Sequence, residues 1–379
     1  MGHLKILFIT DGISPFVIGG MQQHSTKMVK CLLEKGVEIH LIHTTLDSSI
    51  PQSSEVANTF SHHKALKTTF IPFPSKDRFI GHYIRNSKLY SKEVFKVVEQ
   101  NLMDFDFVYA QGFTAHEFLK RKIPKLPIIS NLHGLEMFQG AADMQSELKN
   151  WLLKPIARYI LNNSDINISL GGTLTGLIKQ NTSKKTTVWK VPNFIDQSWF
   201  KEYKRSENHK NIKFLFIGRY ERRKGIEELL GSIPLINSNN AFFGFVGNLH
   251  TIENERCKFH GLVKDEQTLK QIIDEYDVLI CPSYSEGMPT VILEAMARGL
   301  AIIATDVGAV SELVNKENGW LIPARSQYRL IEAIELAIKC EELEIKKDQS
   351  VKKAVEFETH KVMDRLLDYL VNFKKHHLK

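Results

Sequence analysis

The chain has 379 residues, of which 43% are apolar and 25% charged, so a disordered or fibrous protein is excluded and two domains fit the length. The net charge of +7 lies in residues 1–200, which carry 23 basic and 16 acidic side chains, whereas the remaining residues are neutral overall. No run of about 18 apolar residues occurs, so no membrane-spanning helix is expected.

The N-terminal stretch MGHLKILFITDG predicts a buried strand and not a signal peptide, because its apolar run is short and ends at Asp11. The cysteines show no Cys-x-x-Cys spacing; they are Cys31, Cys257, Cys281 and Cys340. They are interpreted as reduced thiols without a disulfide framework or a metal site, which favours a cytoplasmic location.

In the first half of the chain, short apolar strands alternate with helical stretches. Strands are predicted at 5–10, 37–44, 105–112, 127–134 and 165–172, and helices at 21–36 and 148–160. Short buried strands separated by helices indicate a parallel sheet covered on both faces. These features predict an N-terminal Rossmann-like domain over residues 1–192.

The pattern is interrupted at 191–211 by Pro192 and a polar, charged stretch; residues 193–211 are predicted to be a linker, after which the same pattern restarts. Strands are predicted at 212–219, 241–247, 277–283 and 301–306, with helices from Gly225 and around 265–275. A second Rossmann-like domain is therefore expected over 212–352, and a final helix within 353–379 is expected to pack back on the first domain. Ligands of open parallel sheets bind beyond the carboxyl ends of the strands, so the chemistry is expected in the cleft between the domains.

Two loops that follow or precede predicted elements could hold phosphate. Arg219 and Lys224 lie five residues apart after a strand, where a guanidinium and an ammonium would suit a diphosphate. The neighbouring Arg222 and Arg223 are interpreted as surface charge. Gly19-Gly20 directly precedes a helix, whose free N–H groups could bind a phosphate. An ordinary charged surface and a tight turn would explain the same two sequences.

The stretch SYSEGMPTVILEAMARG, at 283–299, places one carboxylate before a helix and a second within it. Pro289 suits the first helical position, so Gly287 and Met288 would lie where backbone N–H groups are free. Glu286 then lies in the turn and could accept hydrogen bonds from hydroxyl groups. Glu294 lies inside the apolar run VILEAMA, where a buried carboxylate needs a partner such as a ribose diol.

Glu286-Gly-Met-Pro followed by Glu294-Ala-Met-Ala-x-Gly resembles the Glu-x7-Glu motif of the retaining glycosyltransferases of family 4, which have the GT-B fold. The resemblance implies that Arg219 and Lys224 neutralise the leaving diphosphate and that Glu294 binds the ribose. It also implies that Glu286 and the backbone of Gly287, Met288 and Pro289 hold the sugar. The remaining matching positions are the glycine loop Gly19-Gly20, the base-contacting Val263, the sugar-adjacent His133, and Asn193 to Asp196, where Asn-Gly-x-Asp is frequent and Phe194 replaces the glycine.

The same resemblance implies the reaction and its partners. A sugar would move from a nucleoside diphosphate sugar, with UDP favoured over GDP, to a glycan or lipid-linked acceptor in bacterial surface polysaccharide biosynthesis. Front-face attack, with the leaving phosphate accepting the proton, would retain the configuration. No cofactor and no nucleic acid are implied. Asp104-Phe-Asp106 precedes a strand instead of following it, so no essential metal is expected.

Two other functions use similar contacts. A nucleotide-sugar epimerase of the same architecture would also need a diphosphate site and a sugar site, and a catalytically inactive binding module could retain the fold. Residues 61–98 carry eight basic and two acidic side chains with interleaved aromatics, which suits either an anionic membrane surface or an ordinary solvated face. Peripheral binding to the inner face of the membrane is one expectation that follows.

Overall fold

The computed structural model describes residues 4–17, 19–45, 50–74, 81–183, 186–201, 211–249 and 254–377. Its first sheet consists of the strands β1 Lys5–Ile9, β2 Glu38–His43, β3 Leu66–Phe70, β4 Phe107–Gln111, β5 Ile128–Asn131, β6 Ile166–Ser169 and β7 Thr187–Lys190. The helices that accompany them are α1 Gly20–Glu34, α2 Ser53–Thr59, α3 His82–Val98, α4 His116–Arg121, α5 Met144–Asn163 and α6 Gly172–Gln180. The strands are parallel and lie in the order β3-β2-β1-β4-β5-β6-β7.

The second sheet consists of β8 Ile212–Ile217, β9 Ala241–Val246, β10 Cys257–Gly261, β11 Val278–Cys281, β12 Ala301–Thr305 and β13 Gly319–Ile322. Its helices are α7 Ile226–Ser232, α8 Glu266–Ile273, α9 Thr290–Ala297, α10 Val310–Leu313, α11 Gln327–Ile338, α12 Leu343–Ala354 and α13 Thr359–His377. The strands are again parallel, in the order β10-β9-β8-β11-β12-β13. The predicted fold class, two Rossmann-like domains with parallel sheets, is confirmed.

Sequence patterning missed the edge strands of both sheets. β3 and β7 border the first sheet, β10 and β13 border the second, and none of the four was predicted. The central strand β4 is buried at every position, whereas β3 (LKTTF) and β10 (CKFHG) have no fully buried residue. An edge strand is covered on fewer sides and lacks the continuous apolar run that marks a buried parallel strand.

The last helix packs on the first sheet. Four side chains of α13 are buried in the same core as β1 and β2, namely Val362, Met363, Leu366 and Leu370. Lys374 at its end forms an ion pair with Asp106 at 2.6 Å, and Asp106 also accepts a hydrogen bond from the Lys5 backbone N–H. Asp106 thus joins α13 to the β1–β4 pair.

The basic segment 61–98 differs from its predicted surface character. Lys76, Arg78 and Phe79 lie outside the described residues. Among the described aromatic side chains, Tyr90 and Phe95 are buried in the core and Phe73 and Tyr83 pack against it. These rings therefore stabilise the N-terminal domain, and the expectation that they enter a lipid layer is wrong for them. Lys88, Lys92 and Lys96 are exposed on α3.

Among the described residues no helix has the length and apolar content to cross a membrane.

Candidate active site

The turn between β11 and α9 positions the first predicted carboxylate. Pro289 is the N-cap of α9, with φ of −65°, so the helix begins one residue later than predicted. Met288 is buried and its carbonyl accepts a hydrogen bond from the Asn193 side chain at 2.7 Å. No side chain caps the first turn of α9, which contains no acidic residue. The backbone N–H groups at this helix start are therefore not occupied by a capping side chain.

Glu286 is a buried carboxylate held by several donors. Its Oε1 accepts hydrogen bonds from Lys224 Nζ at 2.6 Å and from Ser283 Oγ at 2.7 Å, and its Oε2 lies 3.4 Å from Arg223 Nη1. Burial raises the pKa of this carboxyl group, but Lys224 and Arg223 outweigh burial and hold the pKa below its ordinary value. Glu286 is thus ionised, and Lys224 is its main cation.

The basic loop after β8 is a connected chain of charges. Arg219 is 77% exposed and pairs with Glu221 at 3.1 Å, and Glu221 also contacts Arg223 at 3.3 Å. Because Arg223 reaches Glu286 and the Ser285 carbonyl, its interpretation as surface charge was wrong. Arg222 is also more than surface charge, since it pairs with Glu228 and lies over the Tyr284 ring. The structure brings Lys224 to Glu286, whereas Arg219 stays on the exposed side of the loop.

Glu294, just over one turn along α9, faces a cleft between the domains. The cleft has a volume of about 320 Å³ and is also lined by Val263 and by Lys27 of α1. Burial raises the pKa of Glu294 to about 7, although Lys27 and a hydrogen bond from Thr290 favour the ionised form. The predicted ribose carboxylate and the predicted base contact therefore line the same cleft.

The predicted glycine loop begins α1 on the N-terminal side of this cleft. Gly19 is the N-cap, no side chain caps the helix, and its first turn has no acidic residue. A Cβ placed on Gly20 would meet no atom of the described residues within 4 Å. Gly20, His24 and Lys27 share one face of α1 and line a small cavity together with Glu294. The open helix start and the predicted ribose carboxylate are thus neighbours.

His133 lies in a strained loop after β5. Its backbone has φ of +55° and that of Leu135 has φ of +51°, in a region that L-residues rarely adopt. Burial lowers the pKa of His133 to about 4, so the ring is neutral, and its Nε2 has no hydrogen-bond partner. A Cβ on Gly287 would lie 3.1 Å from Gly134 Cα, so this loop touches the Glu286 turn across the domain junction.

The two domains are joined around these loops by hydrogen bonds. The Gln139 side chain donates to the carbonyls of Gly134 and Glu286, and accepts from the Glu286 N–H at 3.3 Å. After the next strands along the chain, β6 and β12, the Thr173 N–H donates to the Gly308 carbonyl at 2.9 Å. Loops at the carboxyl ends of β5 and β6 therefore meet loops at the carboxyl ends of β11 and β12.

Solved structures of similar shape cover the whole chain. Sucrose-phosphate synthase from Thermosynechococcus elongatus has a TM-score of 0.79 and 17% identity over 98% of this chain and 100% of that one. Anabaena Alr3699/HepE, solved with UDP and glucose, has a TM-score of 0.69 and 15% identity over 98% and 100% of the chains. At such identities the similarity establishes the fold alone.

Two family models match the chain, one in the region of each sheet. Glycosyltransferase Family 4 matches residues 18–199, and Glycosyl transferases group 1 matches residues 211–339. The chain belongs to the GT-B glycosyltransferases.

The relatives of this glycosyltransferase differ in sequence identity and in the fraction of the chain that they match. TuaC of Bacillus subtilis, assigned to teichuronic acid biosynthesis, is 38% identical over 123 residues, about a third of each chain (32% and 31%). The uncharacterized glycosyltransferase MJ1178 of Methanocaldococcus jannaschii is 28% identical over 86% of each chain. CapM of Staphylococcus aureus, a capsular polysaccharide biosynthesis glycosyltransferase, is 29% identical over 35% of this chain and 38% of its own.

Several residues at the glycosyltransferase site were missed by sequence reasoning. Arg223 was interpreted as surface charge because the sequence does not indicate which of the adjacent cations, Arg222, Arg223 and Lys224, point into the site. Ser283 could have been found, since it lies three residues before Glu286 in the same turn. Gln139, Lys27 and His24 come from the other domain, and no spacing within the sequence could have placed them beside α9.

Proposed function

We propose that this glycosyltransferase moves a hexosyl group from a nucleoside diphosphate sugar to a glycan or lipid-linked acceptor, with retention of configuration and without an essential metal. The observation that carries the proposal is the Lys224–Glu286 ion pair in front of α9, with Glu294 farther along the same helix in the cleft. In this structure Lys224 neutralises the buried carboxylate of Glu286. Hydroxyl groups of a bound sugar could replace the lysine at Glu286, which would free a cation for the diphosphate.

The proposed roles follow from where negative charge develops during the reaction. Departure of a nucleoside diphosphate builds charge on its phosphate oxygens, and preorganised donors stabilise such charge most effectively where water is excluded. Lys224, the helix starts of α1 and α9, and the exposed Arg219 are the proposed donors. Glu294 and the Val263 backbone would hold the ribose and the base. His133, which is neutral, would hydrogen-bond the sugar and carry no charge to the phosphate.

UDP is the proposed nucleotide, and a surface polysaccharide precursor is the proposed acceptor. The HepE structure of the same fold was solved with UDP and glucose, which supports a uridine donor. TuaC and CapM are named for teichuronic acid and capsular polysaccharide biosynthesis, which supports an acceptor of that class. The epimerase alternative is not favoured, because both matching family models are glycosyltransferase models.

A donor panel tests the proposal. The full-length protein would be incubated with UDP-glucose, UDP-N-acetylglucosamine, UDP-galactose and GDP-mannose, each with and without bacterial glycan or polyprenyl-linked acceptors. Release of the nucleoside diphosphate with an α-configured product from an α-configured donor is expected, and it should persist in EDTA. Conversion of the donor sugar without an acceptor would instead identify an epimerase, and metal-reversible inhibition by EDTA would refute metal independence.

The proposal also includes docking of the N-terminal domain on an anionic membrane surface. Lys88 and Lys92 are exposed on α3 and pair with no acidic side chain among the described residues, while Lys96 pairs with Glu93 at 2.8 Å. On the same helix Leu89 is 39% exposed and Val97 is 53% exposed. Cations beside exposed aliphatic side chains suit the headgroup region of an anionic bilayer.

A further inference from the structure

Three buried polar atoms without partners lie on elements that meet at the domain junction. They are Nε2 of His24 on α1, Nε2 of His133 after β5, and Oδ1 of Asn193 before the second sheet. His24 is 5% exposed and Asn193 is 8% exposed, so bulk water does not satisfy these atoms. Buried polar atoms usually have a hydrogen-bond partner, so three unpaired ones at one junction are candidates to bind polar atoms of a ligand.

The three groups are linked by direct contacts. The His24 and His133 rings meet edge to face with centroids 5.5 Å apart, and His24 packs on Phe194 at 4.7 Å. Asn193 directly precedes Phe194 and donates through Nδ2 to the Met288 carbonyl at 2.7 Å. Met288 belongs to the turn that is proposed to hold the sugar, and Gly134, next to His133, touches Gly287 of that turn.

The hydrogen-bonding capacity of these three unpaired atoms restricts which ligand group can bind them. With Nδ2 fixed on the Met288 carbonyl, Asn193 Oδ1 can only accept a hydrogen bond, so its partner must be a donor. An ionised phosphate has no hydrogen to donate, whereas a hydroxyl group both donates and accepts. Burial lowers the pKa of His24 well below its ordinary value and that of His133 to about 4, so neither ring offers a positive charge to an anion.

The volume of the cavity beside His24 also favours a hydroxyl group. The cavity that His24 lines with Gly20, Phe194 and Glu294 has a volume of about 20 Å³. That is room for one water-sized group, so a hydroxyl group fits there and a whole sugar ring does not.

We propose that His24 and Asn193 hydrogen-bond hydroxyl groups of the transferred sugar and, together with the neutral His133, select the donor sugar. This inference rests on the proposed function, because it assumes that a nucleoside diphosphate sugar binds in the cleft. A ribose hydroxyl would offer the same chemistry from the Glu294 side, and the test below separates the two sources.

The test compares two affinities for each variant of the full-length protein. Titration calorimetry would give the Kd for UDP and the Kd for whichever of UDP-glucose, UDP-N-acetylglucosamine and UDP-galactose binds the wild type most tightly. GDP and GDP-mannose replace these ligands if uridine nucleotides do not bind. His24→Phe keeps a ring that can pack on Phe194 but removes Nε2, so it isolates one polar atom. Asn193→Leu removes the unpaired acceptor Oδ1 together with the Nδ2 hydrogen bond to the Met288 carbonyl, so it is read beside His24→Phe and not alone.

Each variant is expected to keep the wild-type Kd for the free nucleotide and to raise the Kd for the nucleotide sugar by about three- to tenfold, the effect of losing one neutral hydrogen bond. His24→Gln, which restores a polar group, should recover part of the loss. His43→Phe is the matched control, because His43 is a buried imidazole whose Nδ1 lacks a partner, but it packs on Phe70 in the first sheet. This control should change neither Kd.

The other outcomes are decisive against the inference. An unchanged Kd for the nucleotide sugar in both variants would mean that structural water satisfies these atoms and would overturn it, while the proposed function stands. An equal loss of affinity for the free nucleotide would assign the hydroxyl to the ribose and overturn the sugar assignment. Failure of the wild type to bind any nucleotide sugar would refute the proposed function itself, and the inference with it.

Discussion

At the scale of single residues, the carboxylate Glu286 depends on one lysine. Glu286 is 5% exposed, and Lys224 is its closest cation at 2.6 Å. Removing one partner of a buried ion pair leaves an uncompensated charge, which is far more costly than losing an exposed pair. Arg219, which is exposed and pairs with Glu221, contributes far less to the fold.

Lys224→Met should therefore destabilise the protein by roughly 3 kcal/mol, the lower end of the range for a broken buried pair, because Ser283 and Arg223 remain. Arg219→Met is the matched control and should leave the unfolding temperature unchanged while weakening nucleotide diphosphate binding. Thermal unfolding and calorimetric titration would measure both effects. The double variant Lys224→Met/Glu286→Gln should regain most of the stability, and equal unfolding temperatures for the two single variants would contradict this assignment.

Glu286→Gln tests the separate roles of the two carboxylates. Gln keeps a hydrogen-bonding group in the turn but removes the charge that would hold the sugar, so turnover should fall more than affinity for the nucleoside diphosphate. Glu294→Ala should chiefly weaken the nucleoside diphosphate, since the ribose would lose its acceptor. Steady-state kinetics and nucleotide titration separate the two effects. Equal losses of nucleotide affinity in both variants would reject the division of roles.

The pH dependence of Glu294 should act in opposite directions on binding and on stability. Burial raises its pKa to about 7, so it holds a proton in the folded protein between about pH 4.5 and 7 that the unfolded chain releases. Its contribution to stability is therefore fully present at low pH and is lost as the pH rises through 7. Nucleotide affinity should change the other way, because the ionised carboxylate is the better acceptor for ribose hydroxyls.

Below pH 7 the affinity for the nucleoside diphosphate is expected to fall by up to about tenfold per pH unit, if only the ionised form binds. Titration between pH 5.5 and 8.5 would follow this change, with Glu294→Gln as the comparison. The variant should bind weakly at every pH, with a flatter profile. A wild-type profile as flat as that of the variant would show that Glu294 does not titrate at the nucleotide.

At the scale of elements, the start of α1 provides a sharp test of phosphate binding. In the part of the chain that the structure describes, a Cβ on Gly20 would meet no atom within 4 Å, so Gly20→Ala should not destabilise the fold. The same Cβ would occupy the space in front of the helix start, where a phosphate would need to approach the backbone. Affinity for the nucleoside diphosphate should therefore fall severalfold or more.

Gly176→Ala is the control for this change, because Gly176 lies inside α6, is exposed, and its Cβ would also meet nothing within 4 Å. Replacing a glycine within a helix should stabilise it by about 0.5–1 kcal/mol and leave nucleotide binding unchanged. If Gly20→Ala retains full affinity, the glycine loop only turns the chain and does not approach a phosphate.

How far the sequence predicted these elements depended on burial. Central strands such as β1 and β4 were predicted within two or three residues of their ends, because burial on both faces demands an apolar run. The site was predictable where its residues share one loop, as with Glu286 and Pro289. The pairing of Lys224 with Glu286 was not, because it depends on how β8 and β11 lie side by side. Contacts from His24 and Gln139 depend on the approach of two domains, which no local pattern records.

At the scale of the whole molecule, the two domains meet through polar contacts near the proposed site. Gln139 and Thr173 reach from the N-terminal domain to the C-terminal one, and Arg298 of the C-terminal domain holds the linker through a hydrogen bond to the Trp199 carbonyl at 3.2 Å. These contacts leave the exposed face of α3 outside the junction. The charge of the chain follows the same division, since the whole excess of basic residues lies in residues 1–200.

Docking on an anionic surface is therefore assigned to the N-terminal domain, and it should depend on charge. Each basic residue near an anionic membrane contributes about 1 kcal/mol, and screening shortens to roughly 8 Å at physiological salt. Reversing Lys88, Lys92 and Lys96 to Glu should abolish sedimentation with vesicles that contain phosphatidylglycerol, and added salt should weaken wild-type binding.

The matched control reverses Lys316, Lys339 and Lys352, which are exposed on the C-terminal domain. It changes the net charge equally and should leave binding intact. If both triple variants lose binding alike, only net charge matters and α3 is not the docking surface. Binding that ignores lipid charge and salt would leave α3 as a solvated helix of a glycosyltransferase that meets its acceptor in solution.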